Sequence, residues 1–282
     1  MGYEITLATS MCISVVFALS LNLITGFCGQ ISLGHAAFFG VGAYTAALSS
    51  QAGLAFPLDL LAAAAAAAVF GFVVGLSSPR VRHDFLAITT MGFGFLFLGV
   101  VRQQDWLGGE MGISAIPGSG LSKLGYLGFV AAVAVAVALF SAFLKRSWLG
   151  FSFAAIADDE DTARVVALDV ARYKLLAFVL GTAIAGIAGG LYAHHVRFIS
   201  PDSFGFVESI AVLSMVIVGG IGSVPGVVFA ALVLTALPLW FQVIEDYKLL
   251  LYSALLFIMM LLCEDGIGGL MRRLTQGRRR TT

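Results

Sequence analysis

The chain has 282 residues, 60% of them hydrophobic and 11% charged, with a mean hydropathy of +0.99. Soluble domains carry roughly 25% charged residues, so sixteen acids and sixteen Lys/Arg cannot make a water-facing surface, and a soluble enzyme is excluded. A formal net charge of zero implies no acidic or nucleic-acid partner. Cys12, Cys28 and Cys263 stand alone in or beside apolar runs, without the spacing of a metal site, and read as packing residues. The start lacks a basic region and a small-residue cleavage site, so the N-terminus is expected to stay attached.

A helix needs ~20 apolar residues to cross ~30 Å of hydrocarbon, and the apolar runs here are continuous. They predict an all-α, polytopic transmembrane bundle with spans near 5–25, 31–49, 54–76, 85–101, 124–144, 173–193, 207–222, 226–242 and 248–263. Nine spans result, or ten if one divides. The weakest divisions are 26–30, at Gly26, Gly29 and Gln30, and 223–225, at Ser223, Val224 and Pro225; either fits a discontinuous helix.

Lys and Arg near span ends favour the cytoplasmic side. With the C-terminus inside, Arg80, Arg82, Lys145, Arg146, Arg164, Arg172, Lys174, Arg272, Arg273, Arg278, Arg279 and Arg280 are cytoplasmic, leaving Arg102, Lys123, Arg197 and Lys248 outside. An odd span count then puts the N-terminus outside. The membrane part is expected over 1–270, with a cytoplasmic segment at 145–172 and a basic cytoplasmic tail at 271–282. Small residues recur four apart at Gly71 and Gly75, at Gly186 and Gly190, and along Gly181, Ala185 and Gly189, spacing that lets helix backbones approach closely. Ala62 to Ala68 predicts a smooth, close-packing helix.

Polar groups are dense between Asn22 and Thr45. In a helix starting near Ile31, Ser32, His35, Phe39 and Gly42 share one face. Ionisable groups in a membrane are costly and usually face a cavity or the bundle interior, so His35 either lines a pathway or sits at a helix end, hydrogen-bonded to neighbouring backbone and holding two segments together. No second ligand three or four residues away makes it a metal site. The stretch 147–169 predicts a short amphipathic helix, capped by Asp158, Asp159 or Asp161, with Arg164, Ala167 and Leu168 on one face. It is either a docking element for a cytoplasmic partner or a solvated interfacial helix.

The run Gly219-Gly220-Ile221-Gly222-Ser223-Val224-Pro225-Gly226 is no phosphate loop, because no Lys follows in the G-x-x-x-x-G-K-[ST] pattern. It reads as a helix break whose exposed carbonyls can line a cavity, loosely similar to Gly26–Gly34 and a hint of an internal repeat. His194 and His195 read as interfacial polar residues, and Glu208 opens the seventh helix with Asp202 or Ser203 as cap. No nucleophile motif accompanies them.

The segments Asn22-Leu23, Gly29-Gln30-Ile31-Ser32-Leu33-Gly34-His35-Ala36-Ala37-Phe38-Phe39-Gly40-Val41-Gly42-Ala43-Tyr44, Arg172-Tyr173-Lys174-Leu175-Leu176-Ala177-Phe178 with Ala185-Gly186-Ile187-Ala188-Gly189, and Val218-Gly219-Gly220-Ile221-Gly222-Ser223 carry a resemblance over nearly the whole chain. The sequence resembles the permease subunits of ATP-binding-cassette importers for branched-chain amino acids, the M-subunit type of the Liv system. That resemblance implies a transport subunit that is not an enzyme and binds no cofactor or metal, set in the bacterial cytoplasmic (inner) membrane among its lipids. It implies a second permease, two cytoplasmic ATPase subunits and an extracytoplasmic substrate-binding protein as partners, and no nucleic acid. Asn22, Ser32, His35, Tyr44 and Thr45 are expected near the pathway, Gly219, Gly220, Gly222, Ser223 and Pro225 at the helix break, and Asp158, Asp159, Glu160, Asp161 and Arg164 in the segment coupled to the ATPase. The chain departs from the family's pattern at Phe95 and Leu96 after Phe93-Gly94, at Ala167 in place of a usual Gly, and at Cys263-Glu264-Asp265-Gly266. The alternatives are an importer of urea or short amides and a stand-alone proton-coupled transporter using His35 or Glu208.

Overall fold

The computed structural model describes residues 2–77 and 83–240 with positions 250, 253, 254 and 257; at 83–85 and 238–240 it describes the backbone alone. Arg80, Arg82, Cys263, nearly all of the expected 248–263 span and the tail 271–282 lie outside the described residues.

The described chain is helical. Helix α1 (Gly2–Leu21) continues into a π-helical turn (Asn22–Phe27) and is followed by α2 (His35–Gln51), α3 (Leu58–Gly75), α4 (His83–Gln103), α5 (Lys123–Arg146), α6 (Trp148–Asp158), α7 (Glu160–Val165), α8 (Val170–Val196), α9 (Phe206–Gly219) and α10 (Val224–Trp240). Among the described residues, six stretches are long and apolar enough to cross a membrane: Gly2–Phe27, Leu58–Gly75, Leu86–Gln103, Lys123–Arg146, Val170–Val196 and Pro201–Gly219. The expected spans 31–49 and 226–242 are present as shorter helices of 17 residues each, α2 and α10. The chain is thus a multi-pass membrane protein built of helices.

Helix α8 is the hub, packed on α1, α2 and α3. Its small residues make this possible, because lipid leaves helices little drive to associate except close packing. A side chain on Gly189 would collide with the carbonyl of Phe39, and one on Gly186 with Ala63 and Ala67 from the alanine run. Gly71 faces Thr182 in the same way.

Two expectations are corrected. Helix α2 begins at His35, not near Ile31, because the preceding backbone is held elsewhere. Gly29 turns the chain at φ +70°, Thr25 Oγ1 donates to the Gln30 carbonyl at 2.9 Å, and the Leu33 N–H donates to Thr90 Oγ1 at 3.0 Å. Ser32 therefore lies off the face that His35, Phe39 and Gly42 share. Residues 147–169 form two short helices rather than one, broken at Asp159, whose carboxylate caps α7 by accepting from the N–H groups of Asp161 and Thr162 at 2.8 and 2.9 Å. Ala167 has φ +61°, so Ala167 and Leu168 leave the helix and do not share a face with Arg164.

The bundle has two distinct ends. One gathers the end of α5, helices α6 and α7, the start of α8, the turn at 28–30 and the break between α9 and α10; Ala157 packs on Gly29 and Gln30 Nε2 donates to the Lys174 carbonyl at 2.9 Å. At the other, Ile113 and Ile199 pair through backbone hydrogen bonds, and Arg102 bridges to Asp202 at 2.7 Å.

Candidate functional site

Between α1, α2, α8 and α9 lies a cavity of about 390 Å³, within the ~300–1,000 Å³ range of small-molecule sites. Its polar lining comes from Ser10, Ser14, Asp202, Ser203 and Glu208. Its apolar lining is led by Phe17 and Phe39, whose ring centroids are 4.5 Å apart. Ser10 Oγ also meets His195 Nε2 at 3.1 Å.

Beneath this aromatic pair sits His35, fully buried and stacked on Phe17 at 5.4 Å and 10° between planes. Its Nε2 meets Ser20 Oγ at 2.8 Å, while Nδ1 has no protein partner. At the first position of α2, His35 ties that helix to α1 through the Ser20 hydroxyl rather than through neighbouring backbone. The other pathway candidates do not line the cavity. Tyr44 and Thr45 lie along α2, Tyr44 with its ring against Phe97 and Phe204 and its hydroxyl unpartnered, and Thr45 bonded back to the Val41 carbonyl at 2.7 Å. Ser32 is buried in the turn before α2 with its hydroxyl unpartnered.

Below His35 the bundle is closed by the meeting of the two helix breaks. Asn22, in the π-helical turn, accepts the Gly222 N–H on Oδ1 at 2.9 Å. Lys145 Nζ donates to the Gly222 carbonyl at 2.5 Å and lies 5.9 Å from the centre of the Phe27 ring. A Cβ on Gly26 would come within 2.5 Å of the Gly222 nitrogen, so the two backbones touch directly. Gly220 and Gly222 have φ of +96° and +75°, and α10 starts at Val224 with Pro225 in its first turn, where a missing N–H costs nothing. Gly219 ends α9, and Ser223 Oγ accepts the Gly226 N–H at 3.4 Å. The sequence identified both breaks but not that they join.

The acidic segment divides by direction. Asp158, Asp159, Asp161 and Arg164 are exposed, with Arg164 paired to Asp161 at 2.8 Å. Glu160 points inward and pairs with Lys174, whose side chain is 3% exposed. Because the Lys174 carbonyl receives Gln30, this pair joins α7 to the turn just after the π-helical segment. The Asp159 carboxyl titrates below the ordinary carboxylate range, since the N–H groups of Thr162 and Asp161 stabilise its charged form.

Two further expectations change. His194 is not an interfacial residue: it is 4% exposed, with Nε2 2.5 Å from Asp59 Oδ2 and Nδ1 3.0 Å from the Pro117 carbonyl. The partner Asp59 is 135 positions away, so sequence spacing could not find it. Helix α9 is preceded at its cap by Gly205, because Asp202 and Ser203 belong to a separate 3-10 turn, Pro201–Phe204. Sequence reasoning missed Ser10 and Ser14 as cavity residues, although their spacing of four puts them on one face of α1.

A side-chain-lined cavity set between the helices of a multi-pass bundle, with discontinuous helices beside it, fits a membrane transport subunit. Residues 4–263 match the family described as branched-chain amino acid transport system / permease component. The chain is 33% identical to the high-affinity branched-chain amino acid transport system permease protein LivM of Escherichia coli K12, over 93% of this chain and 69% of that protein. It is 28% identical to the permease protein BraD of Pseudomonas aeruginosa, over 90% of this chain and 91% of that one. Among solved structures it is similar to PsaBC from Streptococcus pneumoniae in complex with Fab, at 17% identity and a TM-score of 0.48 over 90% of this chain and 89% of that one. The chain belongs to the family of branched-chain amino acid transport permeases; it is a transport subunit and not itself catalytic.

Proposed function

We propose that this permease forms one half of the pathway of an ATP-driven importer for branched-chain or other apolar amino acids, working by alternating access. The cavity is the observation that supports it: carboxylate and hydroxyl groups suit an amino acid's charged end, and the Phe17–Phe39 floor suits a branched side chain. Urea or a short amide would leave that apolar floor without a partner. Relatives named as permease proteins of branched-chain amino acid transport systems support a second permease as partner; two cytoplasmic ATPases and an extracytoplasmic binding protein complete the proposed assembly. The membrane is the bacterial cytoplasmic membrane, crossed nine times, or ten if one span divides, by an importer-type permease domain over 1–270; the asymmetry of Lys and Arg supports a cytoplasmic tail 271–282, and nine crossings then leave the N-terminus outside.

On this reading the cavity faces the external side, and the Asn22–Gly222 junction, with Gly219, Gly220, Ser223 and Pro225 around it, closes the cytoplasmic side. His35, Ser32, Tyr44 and Thr45 belong to the wall that rearranges between the two. The cytoplasmic segment 145–172 carries the ATPase contact on Asp158, Asp159, Asp161 and Arg164, and Glu160 transmits it inward through Lys174.

Purification from the native membrane in mild detergent, with mass spectrometry of what accompanies the chain, tests the assembly. A second permease and P-loop ATPases in stoichiometric amounts are expected; recovery of the chain alone would end the importer reading. In the reconstituted importer, the combined changes Asp158→Lys, Asp159→Lys and Asp161→Lys should leave ATP hydrolysis running while uptake falls at least tenfold. Unaltered coupling would remove that surface from the contact.

A further inference from the structure

We infer that the corner between α5 and α6 binds an anionic phospholipid, with Arg146 on its phosphate and Trp148 and Phe151 among its acyl chains. The inference needs only that α5 crosses a membrane, and so stands apart from the importer reading.

Helix α5 sets the depth scale. From Leu124 to Leu144 it carries no charged side chain, and at ~1.5 Å per residue that stretch is about 31 Å long, matching the ~30 Å of a bilayer's hydrocarbon core. Lys123 therefore marks one boundary, and Lys145 with Arg146 the other. The outward face of α5 stays apolar up to that second boundary. Val135, Leu139 and Phe143, each four residues from the next, are all exposed and form one stripe.

The chain then turns sharply. Ser147 Oγ donates to the Leu144 carbonyl at 2.7 Å and accepts the Gly150 N–H at 3.5 Å, closing α5 and opening α6 with one hydroxyl. Gly150 lies so close to the backbone of Leu144 and Lys145 that no Cβ would fit. The first turn of α6 is thus held at the level where α5 leaves the hydrocarbon. On it Trp148 and Phe151, three apart and on one face, are 73% and 66% exposed, while Gly150, Phe153 and Ile156 are buried. Two large rings bare at this depth match the belt in which aromatic side chains sit between headgroups and acyl chains.

Charge selects the headgroup. Lys145 turns inward to the Gly222 carbonyl, whereas Arg146 is exposed and has no ion pair or hydrogen bond among the described residues. A guanidinium at headgroup level presents a planar fork that suits two phosphate oxygens, and a net negative headgroup adds an attraction that a zwitterionic one lacks. The acids that would repel such a lipid begin at the far end of α6, where Asp158 stands about 15 Å beyond Trp148 along the axis. One helix therefore has a lipid end and an acidic end. The phospholipid suits the first, and the cytoplasmic partner proposed above for Asp158 and Asp159 suits the second.

The test uses the full chain in lipid nanodiscs, with Trp106→Phe and Trp240→Phe leaving Trp148 as the sole tryptophan. Its fluorescence is followed as phosphatidylglycerol or phosphatidylcholine, each brominated on one acyl chain, is added at equal mole fraction to a phosphatidylcholine background. Both lipids should quench Trp148, the phosphatidylglycerol with an association constant roughly fivefold higher, the ratio expected for one arginine at a membrane surface. Arg146→Gln should bring that ratio to about one, Arg146→Lys should keep most of it, and quenching should persist in the permease–ATPase complex. If the tryptophan replacements yield no monodisperse protein, native mass spectrometry of the unaltered chain and of Arg146→Gln decides, with less phosphatidylglycerol retained by the variant. Absence of quenching by either lipid, its loss when the ATPase subunits bind, equal quenching by both lipids with Arg146 in place, or equal phosphatidylglycerol retention by the two chains would each overturn the site.

Discussion

The two ends of the bundle are built by different means. Toward the end bearing 194–206, helices α1 and α9 are held apart by side chains, and a cavity of about 390 Å³ remains. Toward the end bearing 145–174, backbone meets backbone at Gly26 and Gly222, fixed by one side-chain amide and one ammonium. Rings and hydroxyls can turn to admit a ligand, whereas a backbone contact between glycines opens only when whole segments move. The π-helical turn beside that contact suits such a movement, since π-bulges recur at functional sites in helices.

The sharpest way to break the comparison is Gly26→Val. With the Gly222 nitrogen 2.5 Å from where Cβ would stand, the segments must separate, and loss of monodisperse protein in detergent is expected. A melting temperature equal to wild type would mean that the junction is not tight.

Glu160→Gln comes next. It strands a Lys174 side chain that is 3% exposed, and breaking a buried pair from one side typically costs ~3–5 kcal/mol. Glu160→Gln combined with Lys174→Met should recover much of that in thermal unfolding; no recovery would show that the pair is not the unit that holds α7 to α8.

A smaller effect of opposite sign is expected at Ala167, which occupies a left-handed conformation at φ +61°, where a residue with a Cβ is disfavoured by roughly 1–2 kcal/mol. Ala167→Gly should stabilise the segment by about 1 kcal/mol, read by thermal unfolding or by slower proteolysis between α7 and α8. The position is the one where the family's pattern has a Gly, and φ gives the physical reason.

The smallest effect concerns pH. Asp159 has a folded pKa below its ordinary value of 3.8, so its capping contribution is complete above that value and is lost as pH falls through the lower folded value. Amide exchange of Asp161 and Thr162 should therefore be flat from neutral pH to about 4, after the intrinsic pH dependence is removed, and rise below it. Asp159→Asn should abolish that rise.

Much of the architecture at the end bearing 145–174 was legible because it is local. The breaks near Gly26 and Gly222 follow from Gly, Ser and Pro inside apolar runs, and the acidic cap before α7 from Asp placement. Helix α2 was misplaced by four residues because Thr90, Gln30 and Thr25 hold the preceding backbone, and those bonds are tertiary. The cavity was harder still. Helices α1 and α2 are apolar around most of their circumference, so periodicity marks no inward face, and only the spacing of Ser10 and Ser14 gave a usable sign.

Composition, run length and motifs read along the chain suffice for the membrane setting, the helical class, most of the places where helices stop and the family. Tertiary structure alone decided that Asn22 meets Gly222, that His194 meets Asp59, that Glu160 turns inward and that Ser10 and Glu208 share a cavity. Those pairings join residues on different helices, and which faces of two apolar helices meet depends on the close packing of small residues, a three-dimensional fit that no pattern along one chain encodes.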